Sequence, residues 1–256
     1  MHSPWYIYLL AALAGVLAGV INTLAGSGSL LTLPMLIFLG LPANAANATN
    51  RVGVTVQNIV GIATFKQSGR LNLAGGMWLT VPAALGSILG ARIAVDLNER
   101  TMNTAIGVVM LVMLGLILFD PQRWLRARSE VRPGPPSLPI LALFFLIGIY
   151  GGFIQAGVGI FLLTAMVVGM GYSLVDANAI KLMIVLGLTL TALGVFIAGG
   201  QINWALGALM AAGQSAGAWL AARYASHQKN AAVWVRRLLI AMIIASTLKL
   251  FGLLPV

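Results

Sequence analysis

Two cationic side chains of this chain lie within or at the edge of long apolar stretches, where charge is rare. Arg51 opens one stretch, and Lys181 lies deeper in another, three positions after Asn178. An ionisable group inside a membrane segment costs about 2.5–3.5 kcal/mol on insertion scales and generally faces a cavity or a partner. We therefore expect Arg51 and Lys181 to face a buried anion. Snorkelling from a helix end remains the alternative for both.

Each cation follows a glycine-rich break in the sequence. The breaks are Gly26-Ser27-Gly28 and Gly157-Val158-Gly159. The apolar run after each break has only about 14 residues, or about 21 Å of helix, against about 30 Å of hydrocarbon. A helix that begins inside the membrane presents free backbone N–H groups, which favour anions. Small residues could instead serve close helix packing. The recurrence of the break in both halves favours a binding site.

Other polar residues near the breaks or within the apolar runs complete the predicted substrate site. With both cations, Ser27 and the four glycines of the breaks, it consists of Asn22, Asn47, Thr49, Asn50, Gln57, Gln155 and Asn178. Gln57 could equally form a hydrogen bond between helices. No carboxylate lies in the middle of an apolar run, and Asp176 at a predicted helix start is the nearest to the site. This argues for an anionic substrate, and it leaves the coupling ion (a proton, sodium or none) open.

The elements that carry these residues are predicted to be membrane helices. Hydrophobic residues make up 60% of the 256 residues, charged residues 8%, and the mean hydropathy is +0.98. Soluble domains carry about 25% charged residues. The apolar runs are continuous, which favours helices over a β-barrel. They cover 5–25, 28–41, 46–65, 73–95 and 101–119, then 138–156, 159–171, 176–198, 204–222 and 234–252.

The two sets of five runs are related by an internal repeat at an offset of 131 residues. The glycine breaks align, as do Ala46-Asn47-Ala48 with Ala177-Asn178-Ala179. About 20 of roughly 70 aligned positions are identical, many of them Gly, Asn or Arg. We predict an all-α polytopic membrane protein of about 8–10 segments. It would contain a first repeat at 1–120, a linker at 121–137 and a second repeat at 138–256.

The distribution of basic residues predicts that the repeats are inverted. The linker contains Arg123, Arg126, Arg128 and Arg132, which places it in the cytoplasm by the positive-inside rule. Counting crossings from there puts Lys66 and Arg223 inside, 199–203 outside and both termini outside. A loop that carries basic residues in one repeat thus corresponds to a loop without such an excess in the other repeat, as inverted repeats require. This assignment requires the short runs to cross; whether they cross fully or are re-entrant stays open.

Composition also excludes other functions. The net charge of +10 comes mostly from Lys and Arg at the ends of apolar runs, which does not fit a nucleic-acid binder. The chain has no Cys and only two His, too few for a metal cluster, and no paired carboxylates inside the membrane. We expect no cofactor, no metal and no enzymatic activity.

The residues around the first break resemble the sulfite exporter TauE/SafE family. The similarity runs through Gly15–Pro34, Leu39-Gly40-Leu41-Pro42, Ala46–Asn50, Phe65–Asn72 and Gly86–Arg92, and both repeats are covered. Val158 between the second pair of glycines and Ala165 in place of Pro34 depart from it, which predicts an imperfectly two-fold site. The resemblance implies a carrier for sulfite, a sulfonate or a related organic anion, described as an exporter.

The resulting hypothesis is a secondary transporter of the cell (inner) membrane that moves a small anion by alternating access. A passive anion channel on the same fold is the alternative. The sequence does not indicate the oligomeric state.

Overall fold

A computed structural model describes residues 5–67, 76–118 and 136–224, together with 240, 243, 244, 247 and 248. These residues form helices and no strands. The helices are α1 (Trp5–Ala25), α2 (Ser29–Phe38), α3 (Ala43–Gln67), α4 (Gly76–Asp96), α5 (Glu99–Leu118), α6 (Leu138–Phe153), α7 (Val158–Thr164, extended by a π-helix at Ala165–Gly169), α8 (Leu174–Ala198) and α9 (Trp204–Tyr224).

The helical membrane fold expected from the sequence is confirmed. Within the described ranges, three helices are long and apolar enough to cross a membrane: Gly76–Asp96, Glu99–Leu118 and Asp176–Ala198. Shorter apolar helices include Ser29–Phe38 and Val158–Gly169. The second predicted run begins and ends within about three residues of α2, inside the usual error of such boundaries. Most of the segment expected at 234–252 and most of the linker at 121–137 lie outside the described residues.

The two short helices are irregular at the same position of the repeat. Pro34 lies inside α2 and removes one backbone hydrogen bond there. The matching residue Ala165 begins the π-helix, in which hydrogen bonds reach one residue further than in an α-helix. We expected the loss of proline at this position to weaken the symmetry. The second repeat instead keeps a distortion at this place by different backbone geometry.

Helices from opposite repeats pack against each other in matching pairs. α1 packs on α9 and α6 on α4; likewise α3 packs on α9 and α8 on α4. The closest approaches also correspond, because Gly217 lies against the carbonyl of Val16 as Gly86 lies against that of Phe145. Each repeat therefore buries its fourth helix against the other repeat. Their interface is the core of the protein.

The order of contacts along these helices shows that the repeats are inverted. Gly15 faces Gly213 and Val16 faces Gly217, so α1 and α9 run in the same direction. Asn203 contacts Thr49 at the start of both α9 and α3, so α3 shares that direction.

α8 runs against α3, because Arg51 lies over Phe196 whereas Gly61, further along α3, faces Leu182. α4 runs parallel to both α6 and α8, because its contacts with each of them advance in the same direction along both helices. Equivalent helices of the two repeats are thus antiparallel.

Exposed tryptophans mark two levels on the outside of this bundle. Trp5 and Trp204 begin the parallel helices α1 and α9 at one end. Trp78 near the start of α4 and Trp219 near the end of α9 lie at the other. Tryptophan favours the interface between water and hydrocarbon, so two such levels are typical of a chain that spans a bilayer.

We predict that Gly86→Val and Gly217→Val destabilise the protein by similar amounts. A Cβ atom at either position would overlap the carbonyl oxygen of the facing helix, so α4 and α6, or α9 and α1, would be forced apart. Overpacking of this kind costs about 1–3 kcal/mol. Thermal unfolding of the purified protein in detergent measures the loss. Gly115→Val is the matched control, because a Cβ atom there meets no heavy atom within 4 Å. A Gly115→Val loss as large as the other two would contradict the packing argument.

Candidate functional site

The two glycine breaks meet where the repeats face each other. The backbone N–H of Gly159 donates to the carbonyl of Gly26 over 3.2 Å. A Cβ atom on either glycine would overlap the backbone of the other. Gly26 and Gly157 also have φ angles of +72° and +71°, which residues with a side chain rarely adopt. Glycine is therefore required both for the turn between helices and for the contact between repeats.

Lys181 of α8 reaches across to the first break. Its buried ammonium donates to the carbonyls of Asn22 and Thr23 at 3.0 and 3.1 Å, and to Oδ1 of Asn178 at 2.9 Å. An ammonium has three N–H donors, and all three find an acceptor here. Lys181 thus binds the end of α1, where the carbonyl of Asn22 also accepts from the backbone N–H of Gly26 at 2.9 Å.

Arg51 of α3 makes the equivalent contact with the second break. Its guanidinium is fully buried and donates to the carbonyls of Gly151 and Gly152 at 2.6 and 2.8 Å, near the end of α6. It also lies over the ring of Phe196, 5.2 Å from the centroid. One of its donors, Nε–H, is buried without a partner. Snorkelling does not describe either cation, since neither reaches the surface.

An asparagine accompanies each cation, and the two asparagines are equivalent in the repeat. Asn47 precedes Arg51 by one turn; its side-chain amide donates to the carbonyl of Phe153 at 2.8 Å, and its Oδ1 lies 3.4 Å from the guanidinium. Asn178 precedes Lys181 by nearly one turn and accepts from its ammonium. In each repeat, an asparagine and a cation therefore hold the end of the first helix of the other repeat.

The buried charge at this interface is positive and has no acidic partner among the described residues. Arg51 and Lys181 are the charged residues buried there, and every acceptor they contact is a neutral carbonyl or amide oxygen. Asp176 is the carboxylate expected nearest to the site. It accepts from the hydroxyl of Ser173 at 2.6 Å in the capping interaction that begins α8. The site therefore keeps two positive charges that only dipoles compensate.

The helices that follow the breaks begin without side-chain caps. Gly28 precedes α2 and Gly157 precedes α7, and neither helix receives a side-chain hydrogen bond at its N-terminus. The buried Ser27 also gives no such cap. A helix N-terminus with free N–H groups carries partial positive charge. The start of α2 thus adds to the positive potential that the two cations create.

Three of the remaining predicted residues have hydrogen-bond partners in the described structure. Asn50 accepts from the buried hydroxyl of Thr32 at 2.6 Å, which links α3 to α2. Gln155 donates from Nε2 to the hydroxyl of Thr189 at 2.5 Å, which links the second break to α8. Thr49 accepts instead from the backbone N–H of Asn203, at the end of the bundle where α9 begins. Thr49 thus joins α3 to the start of α9. The Thr32–Asn50 pair joins α2 to α3, and the Gln155–Thr189 pair joins the second break to α8.

Gln57 differs because it has no partner. Its side chain is 1% exposed, and both the amide nitrogen and the amide oxygen are buried without a hydrogen bond. A buried polar group without a partner costs free energy, so its presence in a native structure needs an explanation. Of the two explanations open from the sequence, an interhelical hydrogen bond is not observed among the described residues. A role of Gln57 in binding a solute stays a prediction.

Some contacts at this site had no signal in the sequence. The carbonyls of Asn22, Thr23, Gly151 and Gly152 belong to the main chain, so no residue type announces them. Thr32 and Thr189 are common residues of apolar helices, and only the matching polar partner in another helix reveals them. No group of three metal-binding side chains is found among the described residues.

Comparisons with known proteins agree with the membrane architecture. The family model for sulfite exporter TauE/SafE matches residues 11–250. The probable membrane transporter protein ORF9 of a Sinorhizobium species is 27% identical over 248 residues, which are 96% of this chain and 93% of that protein. The probable membrane transporter protein YfcA of Escherichia coli is 30% identical over 225 residues, 87% of this chain and 82% of the relative. No solved structure matches significantly.

We predict that Gln57→Leu raises the stability of the substrate-free protein and weakens its response to anions. Leucine removes two buried polar atoms without partners, each of which costs about 1–3 kcal/mol. Thermal unfolding in detergent, with and without an added anion, measures both effects. Gln67→Leu is the matched control, since Gln67 is exposed at the end of the same helix. A Gln57→Leu protein that is less stable than the control would show that Gln57 serves the fold.

Proposed function

Because the chain belongs to the sulfite exporter TauE/SafE family, we propose that this membrane transporter carries a small anion through the meeting point of its two glycine breaks. The substrate class is sulfite or a related sulfur-containing organic anion such as a sulfonate, and the direction is export. The proposed substrate-binding residues are those predicted from the sequence. Within that set, the backbone around Ser27 and Gly28 and the side chains of Gln57, Arg51 and Lys181 contribute most.

The observation that carries this proposal is the pair of buried cations, with no buried carboxylate in the part of the chain that the structure describes. Removing an ion from water costs several kcal/mol, which a partner of opposite charge normally repays. Arg51 and Lys181 have only neutral acceptors, so the site has a deficit of negative charge that a bound anion would fill. A site for a metal cation or an ammonium compound would instead need buried negative charge.

The inverted architecture supports a carrier. In transporters with inverted repeats, the substrate lies where the repeats meet, and one repeat rocks against the other. Here the contact of Gly26 with Gly159 joins the two breaks, and each break is held by residues of the opposite repeat. A movement of α3 or α8 therefore changes the opposite break directly.

We further propose that the chain is a multi-pass protein of the cell (inner) membrane with its basic linker in the cytoplasm and both termini outside. The proposal includes a first repeat at 1–120 and a second repeat at 138–256, as the internal repeat at an offset of 131 residues suggests. Transport is coupled to a proton, to sodium or to no ion. Among the described residues no buried carboxylate would bind a proton, so in a proton-coupled mechanism the substrate itself or the Lys181 amine would carry it.

The proposal is tested by binding and transport of defined anions. Purified protein is heated with sulfite, sulfate, thiosulfate, sulfoacetate or a carboxylate. An anion that binds only the folded state raises the melting temperature. Counterflow in proteoliposomes then distinguishes mechanisms: a carrier saturates and exchanges labelled for unlabelled anion, whereas a passive channel does neither. A panel without any shift or flux would refute the proposed substrate class.

Among variants, we predict that Arg51→Ala and Lys181→Ala lower anion counterflow by about tenfold or more, which corresponds to about 1.4 kcal/mol of lost binding. Arg92→Ala should keep nearly normal transport, because Arg92 is exposed near the end of α4. Removing a cation also releases helix-end carbonyls, so folding is checked by gel filtration. Arg51→Lys and Lys181→Arg keep the charge and should keep partial activity. Equal transport by all three alanine variants would remove the two cations from the site.

A further inference from the structure

A cavity of about 560 Å³ opens at the end of the bundle where α3 and α9 begin. Its walls come from the turn at 39–42 between α2 and α3, the turn at 200–203 between α8 and α9, and Tyr8 of α1. Both repeats therefore contribute to it. No residue of either glycine break lines the cavity, which makes it separate from the site described above.

The distribution of charge assigns this cavity to one side of the membrane. α3 and α9 both begin at the cavity, and both end with a basic residue at the opposite end, Lys66 and Arg223. Basic residues collect on the cytoplasmic side. Arg92 and Arg100 lie near the cavity end, but Asp96 and Glu99 accompany them there. The excess of basic charge among the described helix ends is therefore at the other end, and the cavity opens toward the outside.

Three consecutive residues of α3 connect the cavity with the interior. Thr49 contacts Asn203, a residue of the cavity wall, through a 3.0 Å hydrogen bond. Asn50 contacts Thr32 of α2, and Arg51 contacts the end of α6 at the second break. All three side chains on α3 are at most 2% exposed. Although these three side chains point in different directions around α3, the same turn of α3 thus contacts the cavity wall, α2 and the end of α6.

The cavity wall is uncharged, and it combines apolar side chains with the polar side chains of Tyr8, Gln201 and Asn203. It includes Gln201, whose Nε2 donates to the carbonyl of Val95 at 3.1 Å, while its Oε1 is buried without a partner. A water molecule occupies about 30 Å³ in the liquid, so the cavity has room for a small anion together with part of its hydration shell. With no charged side chain in the wall, the cavity would admit an anion without holding it tightly.

We propose that this cavity is the outer vestibule of the transport pathway, in which a small hydrated oxyanion stands between the external water and the buried cations. The inference rests on the proposed function for the identity of the anion. Its position and its exposure to water follow from the cavity alone.

The absence of cysteine from the chain allows a direct test with single-cysteine variants. Ala205→Cys places a thiol in the cavity wall, and Ala208→Cys is the matched control. Both alanines lie on α9 and are exposed, but Ala208 does not line the cavity. The charged, membrane-impermeant reagent MTSES is added to intact cells, and labelling is measured on the purified protein. Thiols in lipid do not react with it, because it stays in water.

We expect rapid labelling of Ala205→Cys from outside and labelling of Ala208→Cys at least tenfold slower. Sulfoacetate should slow the labelling of Ala205→Cys severalfold. It is used instead of sulfite, which would itself cleave the disulfide formed with the reagent. No labelling from either side, or labelling only in inside-out vesicles, would overturn the outer vestibule.

Labelling that sulfoacetate leaves unchanged, although sulfoacetate shifts the melting temperature, would overturn its place on the pathway. If no anion of the panel shifts the melting temperature while Ala205→Cys still reacts from outside, the proposed substrate class fails and the water-filled cavity stands. The pathway role then fails with the substrate class. The vestibule can therefore fail while the substrate class stands, and a failure of the substrate class is recognised by the absence of any shift in the melting temperature.

Discussion

The structure depends on two positive charges buried against the ends of helices. Arg51 and Lys181 are essentially inaccessible to solvent, and both donate hydrogen bonds to carbonyls at the ends of α6 and α1. The C-terminal end of a helix carries partial negative charge, and its last carbonyls lack partners within the helix. The cations satisfy those carbonyls, and the carbonyls offset part of the cost of burying the cations. Neither group would be stable in a membrane interior without the other.

This arrangement also makes the two repeats interdependent. The first helix of each repeat ends at a glycine break, and the cation that holds that end belongs to the other repeat. The contact of Gly159 with Gly26 joins the breaks to each other. A single repeat would leave its break with unpaired carbonyls in an apolar environment, where each unpaired group costs several kcal/mol. The repeats therefore define the site together.

The sequence predicted the helices, the inverted repeat and the polar character of the site, because these follow from long apolar runs and from the placement of Gly, Asn and Arg. It could not predict what the cations contact. Lys181 aligns with Asn50, and Arg51 aligns with Leu182, so the alignment of the repeats gives no reason to pair them. The two cations nevertheless have equivalent roles, because Asn47 aligns with Asn178 and each cation follows its asparagine by about one turn of α-helix. The acceptors are main-chain atoms, which any residue provides.

The same physical reasoning explains why an anion and a movement of the helices would be linked in the proposed carrier. The attraction between a cation and a helix-end carbonyl is strongest when the cation has no other partner of negative charge. An anion beside Arg51 or Lys181 would take over part of that attraction and weaken the hold on the opposite helix end. The matched distortions at Pro34 and at Ala165–Gly169 place a weak point in the short helix after each break. A break released by the anion could therefore move with the first turns of its short helix, while the rest of that helix stays packed.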